Sequence, residues 1–443
     1  MTRLSRSPDV AVVGGGIIGV CTALHLQRTG RSVLLIERGT PGGEASGHNG
    51  GAISGDCLPT GMPQVIRSLP RMLRDPRSPL AIRWRSVPGL TPWLARFALA
   101  SRPSRVDHIA AALGGLMSHI VEAYRPLVAG TELESVVNQS GLLFAYASAD
   151  SFAGAQFALR LRSRHGVSHD VLDAAAIAGR FPLLAGRFKH GIYLDRALYT
   201  TDPAAFTRTL AGQFVVEGGE LYEGEVRGFR LRGRRVEAVQ TTSGTGDAEI
   251  YTGAVVICAG PWSRRLARRL GTRLPLHVER GYGIDLPDPG LKLDFPVIVS
   301  DHSVSVSPFR DGIRVTGLDE LAGLSAPANF RLIERIIQGA KAAFPELRTD
   351  GATTWMRARP SMPDSLPVIG RAPQRDNAYF AFGHGHKGFG MGAITGRLIQ
   401  ELMDDAPPTV DLDPFRPSRF AFAAAKGRDR AGRCLITRRV IKR

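Results

Sequence analysis

Cysteine is scarce in this 443-residue sequence, and its four cysteines stand far apart without a CxxC pair. No histidine cluster accompanies any of them. This scatter argues against a disulfide framework and against a zinc site, because both need cysteines at close, regular spacing. We therefore expect small buried thiols and no bound metal. The four residues are Cys21, Cys57, Cys258 and Cys434.

Long hydrophobic runs are also missing. The sequence holds no uninterrupted stretch of about 18 apolar residues, so a membrane-spanning helix is not expected. The first candidate strand begins at Asp9, which leaves no room for a signal peptide with its apolar core and cleavage site. We therefore expect a cytoplasmic protein. A chain of 443 residues is long enough for two or three domains with substantial cores.

Acidic residues are few relative to basic ones, since 40 Asp and Glu stand against 57 Lys and Arg, a net charge of +17. Two segments carry most of the excess. Residues 67–105 hold nine arginines and one acidic residue, and residues 426–443 hold eight basic residues and one acidic residue. The rest of the chain is close to neutral, so the charge does not describe the protein as a whole.

Neither basic segment carries an RNP motif, a helix-turn-helix or a zinc-finger pattern, so nucleic-acid binding is not expected. In residues 67–105 the arginines are interleaved with apolar side chains such as Trp84, Trp93 and Phe97. That mixture suits an interfacial segment on anionic lipid, and peripheral contact with the inner membrane is one expectation. The alternative is an insertion packed on the protein body with solvated arginines.

A βαβ unit is predicted at the start of the chain. An apolar run at residues 9–13 leads directly into Gly14-x-Gly16-x-x-Gly19, a helical pattern follows, and a second apolar run ends at Glu37. In a dinucleotide fingerprint the first glycine permits the tight turn, the second lets the backbone approach a pyrophosphate, and the third allows helix and strand to pack closely. The N–H groups at the helix N-terminus attract the phosphates.

The cofactor class follows from Glu37, which lies 21 residues after Gly16. A carboxylate at the end of the second strand accepts hydrogen bonds from ribose hydroxyls and repels a 2′-phosphate, which favours FAD or NAD over NADP. Residues 43–53 are rich in glycine and other small residues. Such a segment lets the backbone run beside a second, extended part of a cofactor, and this favours FAD over NAD.

The remaining chain divides into helical and strand patterns. A fully apolar run predicts a central strand buried on both faces, and alternating segments predict antiparallel sheets. The helical patterns occupy residues 108–130, 151–180, 203–217 and 329–343; the strand patterns are 141–146, the alternating blocks 225–251 and 276–318, and the apolar run 254–258.

Together with residues 43–53, three further blocks resemble the D-amino acid oxidase and dehydrogenase superfamily of flavoproteins. Residues 254–263 are an apolar run followed by Ala-Gly-Pro-Trp-Ser, residues 357–370 read Arg-Ala-Arg-Pro-Ser-Met-Pro-Asp-Ser-Leu-Pro-Val-Ile-Gly, and residues 383–391 read Gly-His-Gly-His-Lys-Gly-Phe-Gly-Met. The blocks follow the family order through most of the chain. Within the superfamily the chain is most similar to the small-subunit type of D-amino acid dehydrogenase, because of its insertion rich in Pro and Arg and its Val-Glu-Arg-Gly-Tyr-Gly-Ile strand.

The resemblance implies an α/β (α+β two-domain) fold, in which a Rossmann-like FAD-binding domain carries an antiparallel-sheet substrate-binding domain. Residues 418–443 are expected to form a disordered basic tail. The FAD-binding domain is assigned to residues 1–60, 190–272 and 356–415, and the substrate domain to residues 61–189 and 273–355 with an Arg-rich insertion at 61–106.

The resemblance also places residues along FAD. His48 stands where many relatives have arginine, while some relatives link a histidine in a comparable segment covalently to the flavin; we expect a noncovalent contact and keep the covalent link as the alternative. The expected cofactor-binding residues are Gly14, Gly16, Ile17, Gly19, Glu37, Arg38, Ser46, His48, Asn49, Gly50, Gly51, Ala259, Gly260, Trp262, Gly383, His384, Gly385, Lys387 and Gly388.

Catalytic candidates come from the same resemblance. Arg359 is expected on the substrate side, where its guanidinium can bind an α-carboxylate with two hydrogen bonds. Arg357 is a second-rank candidate because it lies two residues earlier on the same strand. Tyr282 is expected to help hold the carboxylate, the alternative being an ordinary aromatic of a half-buried sheet. Lys387 either adds charge near the flavin or forms a solvated loop tip.

The implied reaction is the FAD-dependent oxidative deamination of an amino acid, expected to be a D-amino acid. A hydride passes from the α-carbon to flavin N5, and the imino acid hydrolyses in water. No general base is assigned. Electrons are expected to pass to a quinone or another electron-transfer acceptor. The alternative is an oxidase that uses oxygen and acts on glycine, sarcosine or another secondary amine such as a proline derivative.

Overall fold

The computed structural model describes residues 7–53, 55–75, 78–138, 140–244, 246–310 and 312–420. These residues form three sheets and twelve α-helices. The strands are β1 (Val10–Val13), β2 (Val33–Glu37), β3 (Ala52–Ile53), β4 (Leu80–Ile82), β5 (Ser140–Tyr146), β6 (Asp170–Asp173), β7 (His190–Tyr199), β8 (Glu220–Glu223), β9 (Glu225–Arg232), β10 (Arg235–Ser243), β11 (Gly246–Tyr251), β12 (Ala254–Ile257), β13 (His277–Leu286), β14 (Val297–Val299), β15 (Val304–Phe309), β16 (Gly312–Leu321), β17 (Thr353–Ser361), β18 (Val368–Arg371) and β19 (Ala378–Phe382). The helices are α1 (Ile17–Gln27), α2 (Pro63–Arg74), α3 (Val87–Ala100), α4 (Pro103–Met117), α5 (Ile120–Val128), α6 (Ala149–Ala153), α7 (Gln156–Arg164), α8 (Ala174–Arg180), α9 (Pro203–Val216), α10 (Ser263–Arg269), α11 (Ile333–Ala343) and α12 (Gly388–Met403).

The first sheet is built from the apolar runs of the sequence. Its order is β18-β19-β12-β1-β2-β8, and its neighbours are parallel except for β18 with β19. β1, β2 and β12 are almost entirely buried, as expected of strands covered on both faces. The predicted βαβ unit and the central position of residues 254–257 are confirmed.

This sheet lies between two layers. Val10 and Val12 of β1 pack with α1, α9 and α12, whereas Ala11 and Val13 pack with the three-stranded sheet of β9, β10 and β11 and with α10. α1 and α12 approach each other closely at Gly396, where a Cβ would lie only 2.7 Å from the Cys21 carbonyl oxygen. The predicted antiparallel meander corresponds to β9–β11.

The second large sheet has ten strands in the order β17-β13-β16-β15-β14-β5-β7-β3, with β4 paired to β16 and β6 paired to β7. Most neighbours are antiparallel, while β14–β5 and β16–β4 are parallel. Its core packs β13, β15 and β16 against α11. The prediction of a larger antiparallel sheet over residues 276–318 is confirmed for β13–β16.

The expected domain boundaries cut across the ten-stranded sheet. The sequence interpretation places β3 and β7 in the FAD-binding segments 1–60 and 190–272, but both strands belong to this sheet. The boundary at residue 356 falls inside β17, the edge strand of the same sheet. Pairing of β5 with β7, as Phe144 with Ile192, joins a segment assigned to the substrate domain to one assigned to the FAD-binding domain, and the assigned boundaries stay a prediction. The two-domain division itself stays a prediction.

Two helical predictions differ locally from the structure. The block 108–130 is broken, since α4 ends at Met117 and α5 begins at Ile120, with His119 outside helical geometry at φ −98° and ψ 4°. Within the block 151–180, residues Asp170–Asp173 form β6 and pair with β7. This pairing along a neighbouring strand overrides local helical preference.

The first residues of the predicted tail are folded. Pro417–Phe420 forms a short 3-10 helix, and Phe420 packs against the core on the three-stranded side of the first sheet. Arg419 Nε donates to Asp364 Oδ2 at 2.8 Å. Residues 418–420 are therefore ordered, against the expectation, and the rest of the predicted tail, residues 421–443, lies outside the described residues together with Cys434.

The Arg-rich insertion is partly packed and partly exposed. Leu90 and Trp93 of α3 are buried against Leu321, and β4 adds a strand to the ten-stranded sheet. No residue of α2 is buried, and Trp84 is 70% exposed. Among the described residues, no helix combines the length and apolar character needed to cross a membrane.

Candidate active site

A cleft of about 1320 Å³ separates the first sheet from the edge of the ten-stranded sheet. One wall contains Val13, Ile36 and Cys258, at the carboxyl ends of β1, β2 and β12, and the other contains Trp355 and Arg359 of β17. Open parallel sheets bind ligands at this end of their strands. The predicted cofactor residues that line the cleft are Gly14, Gly16, Ile17, Glu37, Arg38, Ser46, His48, Asn49, Ala259, Gly260, Trp262, His384, Gly385 and Gly388.

The glycine-rich turn at the head of α1 needs its glycines for space. Gly14 has φ +113°, and a Cβ there would lie 2.6 Å from the Cys258 carbonyl oxygen. A Cβ on Gly19 would lie only 1.8 Å from the Gly14 carbonyl oxygen. Gly19 does not line the cleft, and its role is to let α1 pack on the turn. The N-terminus of α1 at Gly16 and Ile17 therefore borders the cleft.

Glu37 stands at the end of β2 beside this turn. Its Oε2 accepts from the Gly15 N–H at 2.5 Å and its Oε1 accepts from the Gly39 N–H at 3.1 Å. Burial raises the pKa of Glu37, while these hydrogen bonds oppose the rise. The neighbouring Arg38 places its guanidinium 3.7 Å from the Trp262 ring centroid, so these two side chains form one end of the cleft.

The segment 43–51 folds against the head of α1. Ser46 Oγ accepts from the Ile17 N–H at 2.9 Å and satisfies one donor of the first helical turn. Asn49 Nδ2 donates to the Ser46 carbonyl at 2.7 Å, and its Oδ1 accepts from the Gly51 N–H at 2.8 Å. Gly51 has φ +73° and, like Gly50, does not line the cleft. Asn49 and the glycines therefore shape the turn that presents Ser46.

His48 is held in one tautomer. Its Nδ1 lies 3.1 Å from the Glu44 carbonyl oxygen, and its Nε2 lies 3.4 Å from Arg357 Nη2. Since a guanidinium only donates, Nε2 accepts and Nδ1 carries the proton. Burial lowers the pKa of His48, and the charge of Arg357 lowers it further. The neutral ring stands edge-on to Trp355, with ring centroids 5.3 Å apart.

Arg359 reaches across the sheet from β17 over β13. A Cβ on Gly281 would lie 2.2 Å from Arg359 Nη2, so a glycine is needed beneath the guanidinium. Arg359 Nη1 donates to Asp319 Oδ1 on β16. Arg357 also lines the cleft, where its guanidinium contacts His48 and the Gly43 carbonyl. Both arginines of the 357–370 block therefore face the cleft.

Tyr282 does not face the cleft, so the sequence expectation for this residue is wrong. Its hydroxyl donates to Glu320 Oε2 at 2.6 Å and accepts from the Asn329 N–H at 3.0 Å. The side chain is fully buried in the core beneath the ten-stranded sheet. The neighbour Gly281 faces the cleft, and alternation along β13 points Tyr282 to the opposite side. The position of Tyr282 fits the alternative interpretation, in which it is an ordinary aromatic residue of the sheet.

The loop that precedes α12 borders the cleft through His384, Gly385 and Gly388. His384 Nε2 lies 3.0 Å from Thr395 Oγ1, and burial lowers the pKa of His384 to about 3. The ring is therefore neutral at ordinary pH and ties the loop to α12. Gly383 lies outside the lining, and its φ of +87° shapes the turn.

Lys387 meets neither of its two sequence expectations. Its Nζ donates to the Asp56 carbonyl oxygen at 2.9 Å, on the side of the loop away from the cleft. The Asp56 carboxylate forms a buried pair with Arg162, with N–O distances of 3.1 and 2.9 Å. Burial lowers the pKa of Lys387, and the negative charge of Asp56 opposes this. Lys387 therefore anchors the loop to the segment before α2.

Several residues of the site were missed by sequence reasoning. Arg314 of β16 donates to Gly47 and Asn49 carbonyls and pairs with Asp285 of β13, which fixes the segment 43–51 against the ten-stranded sheet. Trp355 and His386 line the cleft. Asp285 and Arg314 stand opposite each other on the paired strands β13 and β16, and this pairing is the only signal for their contact. The sequence does not specify which strands pair.

Three ligand-type groups meet beside Arg359. The ligand atoms of Glu279, Asp319 and His386 lie within 4.8 Å of one another. Glu279 already accepts from Ser361 Oγ at 2.7 Å and contacts His386 Nε2 at 2.9 Å, while Asp319 accepts from Arg359. Burial raises the pKa of Glu279, but the hydrogen bonds and charges of His386, Ser361 and Arg359 together lower it below its usual value. The polar groups of this cluster therefore already have hydrogen-bond partners among each other, Ser361 and Arg359.

The thiols are buried. Cys21, Cys57 and Cys258 are free, and Cys258 borders the cleft. Burial raises the pKa of Cys57 to about 11 and that of Cys258 to about 12, so both remain protonated at neutral pH. For these three residues the prediction of small buried thiols is confirmed.

Comparisons with known proteins agree with the geometry. A family model described as FAD dependent oxidoreductase (DAO) matches residues 9–402. A D-amino-acid oxidase from Bradyrhizobium diazoefficiens is 34% identical over 419 residues, covering 93% of this chain and 98% of the relative. A D-amino acid dehydrogenase from Paramagnetospirillum magneticum is 30% identical, covering 93% and 98%. The solved structure of a glycine oxidase from Geobacillus kaustophilus matches with a TM-score of 0.69 at 20% identity, covering 93% and 98%, which identifies the same fold.

Proposed function

The chain belongs to the FAD-dependent oxidoreductase family, and on that basis we propose that it oxidises the α-carbon of a D-amino acid with FAD as its cofactor. The observation that carries the proposal is the single cleft that joins the glycine-rich head of α1 to the guanidinium of Arg359. A dinucleotide site and a carboxylate site thus open into one space.

The residues of the cleft fit FAD. Gly14 and Gly16 keep the head of α1 free of side chains, so its N-terminus can face a pyrophosphate. Glu37 stands where a ribose is expected, and Arg38 with Trp262 forms the end wall suited to an adenine ring. Ser46 and Asn49 border the middle of the cleft. The loop before α12, through Gly385 and Gly388, borders the end that adjoins Arg359.

In this proposal Arg359 binds the α-carboxylate of the substrate with two charge-assisted hydrogen bonds and so orients the α-carbon. Arg357, on the same face of β17, adds positive charge nearby. When bound, FAD supplies the acceptor for the hydride that leaves the α-carbon, and the imino acid product hydrolyses in water. The helix dipole of α12 favours negative charge at the end of the cleft. No general base is assigned.

We further propose that FAD is bound without a covalent bond to His48. The ring is already held at Nδ1 by the Glu44 carbonyl and at Nε2 by the Arg357 guanidinium. Mass spectrometry of acid-precipitated protein tests this point. We expect an unmodified peptide containing His48, and a flavin-modified peptide would contradict the proposal.

The electron acceptor is proposed to be a quinone or an electron-transfer protein, and the relatives named D-amino acid dehydrogenase support an acceptor other than oxygen. The second candidate is reoxidation by oxygen, favoured by the relative named D-amino-acid oxidase, with glycine, sarcosine or a proline derivative as further substrates. Turnover with a quinone or dye under anaerobic conditions is compared with peroxide yield in air. Peroxide formation at a comparable rate favours the oxidase.

Binding of the exposed Arg-rich insertion to the surface of the inner membrane is a further part of the proposal. α2 has no buried residue, and Arg67, Arg71 and Arg74 project from it beside Leu73, which is 39% exposed. Arginines next to exposed apolar side chains favour the interface of anionic lipid. The protein is then cytoplasmic with a peripheral membrane contact, close to a membrane-borne acceptor.

The test of the proposed function is a substrate screen by flavin bleaching without oxygen. Purified protein that contains FAD is mixed with D-amino acids, their L-enantiomers, glycine and sarcosine, and the loss of flavin absorbance is followed. We expect bleaching by at least one D-amino acid and none by its L-enantiomer. Bleaching by L-amino acids alone, or by none of these compounds, would contradict the proposal.

A further inference from the structure

A second cavity lies beyond Arg359. It has an empty volume of about 750 Å³ and shares Arg359 and His386 with the main cleft. Its wall is half polar and half apolar, and the polar part includes the hydroxyls of Ser303, Ser305 and Thr316. The ionisable residues in its lining are Arg359, His386 and Asp319, and Asp319 does not line the main cleft. This cavity therefore adjoins the proposed carboxylate site.

Asp319 enters this cavity because of a local irregularity in β16. The pairing of β13 with β16 shifts register between Gly281 and Tyr282, which leaves Leu318 as an extra residue in β16. Leu318 adopts φ +62°, and Ser303 on the facing wall adopts φ +54°. Such conformations are costly for residues other than glycine and are concentrated at functional sites. A bulge of this kind re-aims the following side chain, here Asp319.

Arg359 and Asp319 are paired across a glycine. The guanidinium of Arg359 lies over Gly281 and donates through Nη1 to Asp319. A guanidinium has five N–H donors in a fork, so the remaining donors are available to a substrate carboxylate. That carboxylate would share one guanidinium with Asp319, and two negative groups at this separation repel each other. His386 Nε2 already lies 3.7 Å from Asp319 Oδ1, and a positive charge that enters the second cavity would oppose this repulsion further.

We propose that this charge comes from the substrate, and that Asp319 binds the distal ammonium or guanidinium of a basic D-amino acid. The inference rests on the proposed function and adds its substrate class. The α-carbon and its amine must lie in the main cleft beside FAD, whereas Asp319 borders only the second cavity. Asp319 is thus placed for the side chain of the substrate rather than for the reacting amine, and the hydroxyls around it accept the remaining N–H donors.

Two substrates that differ by one amino group test the inference. The rate of anaerobic flavin bleaching is measured as a function of concentration for D-lysine and for D-norleucine, which lacks the distal amine. The variants are Asp319→Asn and, as a control with the same charge change, Asp288→Asn, whose side chain is 74% exposed. Flavin absorbance before mixing reports that each protein holds FAD.

A charge-assisted hydrogen bond corresponds to a factor of roughly 10 to 100 in specificity. We expect the wild-type protein and Asp288→Asn to prefer D-lysine by at least about tenfold. Asp319→Asn should weaken binding of D-lysine by about tenfold more than binding of D-norleucine, so that the preference for D-lysine is lost.

Equal bleaching of the wild type by both substrates would overturn the inference and leave the proposed function intact. Equal losses for both substrates in Asp319→Asn would also overturn it, because Asp319 would then act only by orienting Arg359. Absence of bleaching by every amino acid overturns the proposed function, and this inference with it. The wild-type comparison requires no variant and decides the question even if Asp319→Asn does not fold.

Discussion

In the proposed function, substrate binding depends on Arg359. It lies over Gly281, a position that admits no side chain, and keeps one donor on Asp319. Replacement of Arg359 by lysine keeps the charge but removes the planar fork that holds a carboxylate. We expect kcat/KM to fall by roughly 10- to 100-fold, mainly through KM, with FAD content unchanged. The control is Arg348→Lys, at an exposed ion pair with Asp288. Wild-type kinetics in Arg359→Lys would exclude this role.

Two buried histidines make stability depend on pH. Burial lowers the pKa of His384 to about 3, and burial with the charges of Arg28 and Arg397 lowers the pKa of His25 to about 4. Below about pH 6.5 the unfolded chain binds protons that the folded chain cannot, so stability falls as pH falls toward 4. Each histidine contributes up to about 1.4 kcal/mol per pH unit in this range.

Denaturant unfolding between pH 7.5 and 5.5 measures this dependence. We expect His25→Gln to lose less free energy of unfolding on acidification than the wild type, by about 1 kcal/mol. The exposed residue His108, replaced by Gln, is the control. A pH dependence of His25→Gln equal to that of the wild type would show that His25 is charged in the folded protein.

Sequence patterns located side chains along the chain but not the direction in which they point. Gly14, Glu37 and Arg359 could be predicted as site residues because motif spacing fixes their positions relative to a turn or a strand end. Tyr282 was misplaced because alternation on β13 turns it into the core while Gly281 faces the cleft. Lys387 was misplaced because its partner, Asp56, is 331 residues distant in the chain. Such contacts depend on packing that no local pattern encodes.

The α1 helix carries the strictest steric requirement at the scale of elements. A Cβ at Gly19 would lie 1.8 Å from the backbone oxygen of Gly14, so Gly19→Ala must displace the turn that borders the cleft. We expect the purified variant to lose most of its FAD, measured as the ratio of flavin to protein absorbance. Gly212→Ala in α9 is the matched control, because nothing lies within 4 Å of the added Cβ.

The control is expected to retain FAD and to gain up to about 1 kcal/mol in stability, since alanine is the better helix former. If Gly19→Ala retained as much FAD as Gly212→Ala, the turn would have made room for the added methyl group without losing the cofactor. That result would contradict the steric requirement at Gly19. The comparison separates close packing from a general effect of replacing a helical glycine.

Secondary structure was predictable where the pattern was long and regular. The βαβ unit, the meander of β9–β11 and the helix α9 follow their sequence signals closely, and α9 begins as expected after Asp202, whose side chain caps it by accepting from the Ala205 N–H at 2.9 Å. β6 was missed because its four residues are defined by pairing with β7. The break between α4 and α5 lies in a continuous apolar pattern, where periodicity gives no signal for an end.

At the scale of the whole molecule, the cleft arises between two sheets that each draw strands from distant segments. β17 at the edge of the ten-stranded sheet faces the carboxyl ends of β1 and β12, which are separated from it by 340 and 96 residues, counted from the last residue of each strand to the first of β17. Sequence motifs named residues on both walls. They did not indicate that Asp319 and His386 would lie beside Arg359, because neither belongs to a recognisable spacing with Arg359.

The uneven charge leads to the last prediction. Arg67, Arg71 and Arg74 are exposed on α2, so their replacement by glutamine should weaken binding to vesicles that contain phosphatidylglycerol. Each arginine contributes about 1 kcal/mol near an anionic surface, which predicts a loss of roughly 100-fold in partitioning at low salt. The matched control replaces Arg227, Arg230 and Arg232 of β9, three arginines on another exposed strand.

Co-sedimentation at low and high salt measures this partitioning, with vesicles of phosphatidylcholine alone as the uncharged reference. Binding should fall as salt shortens the electrostatic range to a few ångströms, and the β9 variant should bind like the wild type. Equal losses in both variants would mean that net charge alone drives the contact. No binding of the wild type to anionic vesicles at low salt would place the arginines in solvent, and proximity to a membrane-borne acceptor would then need another explanation.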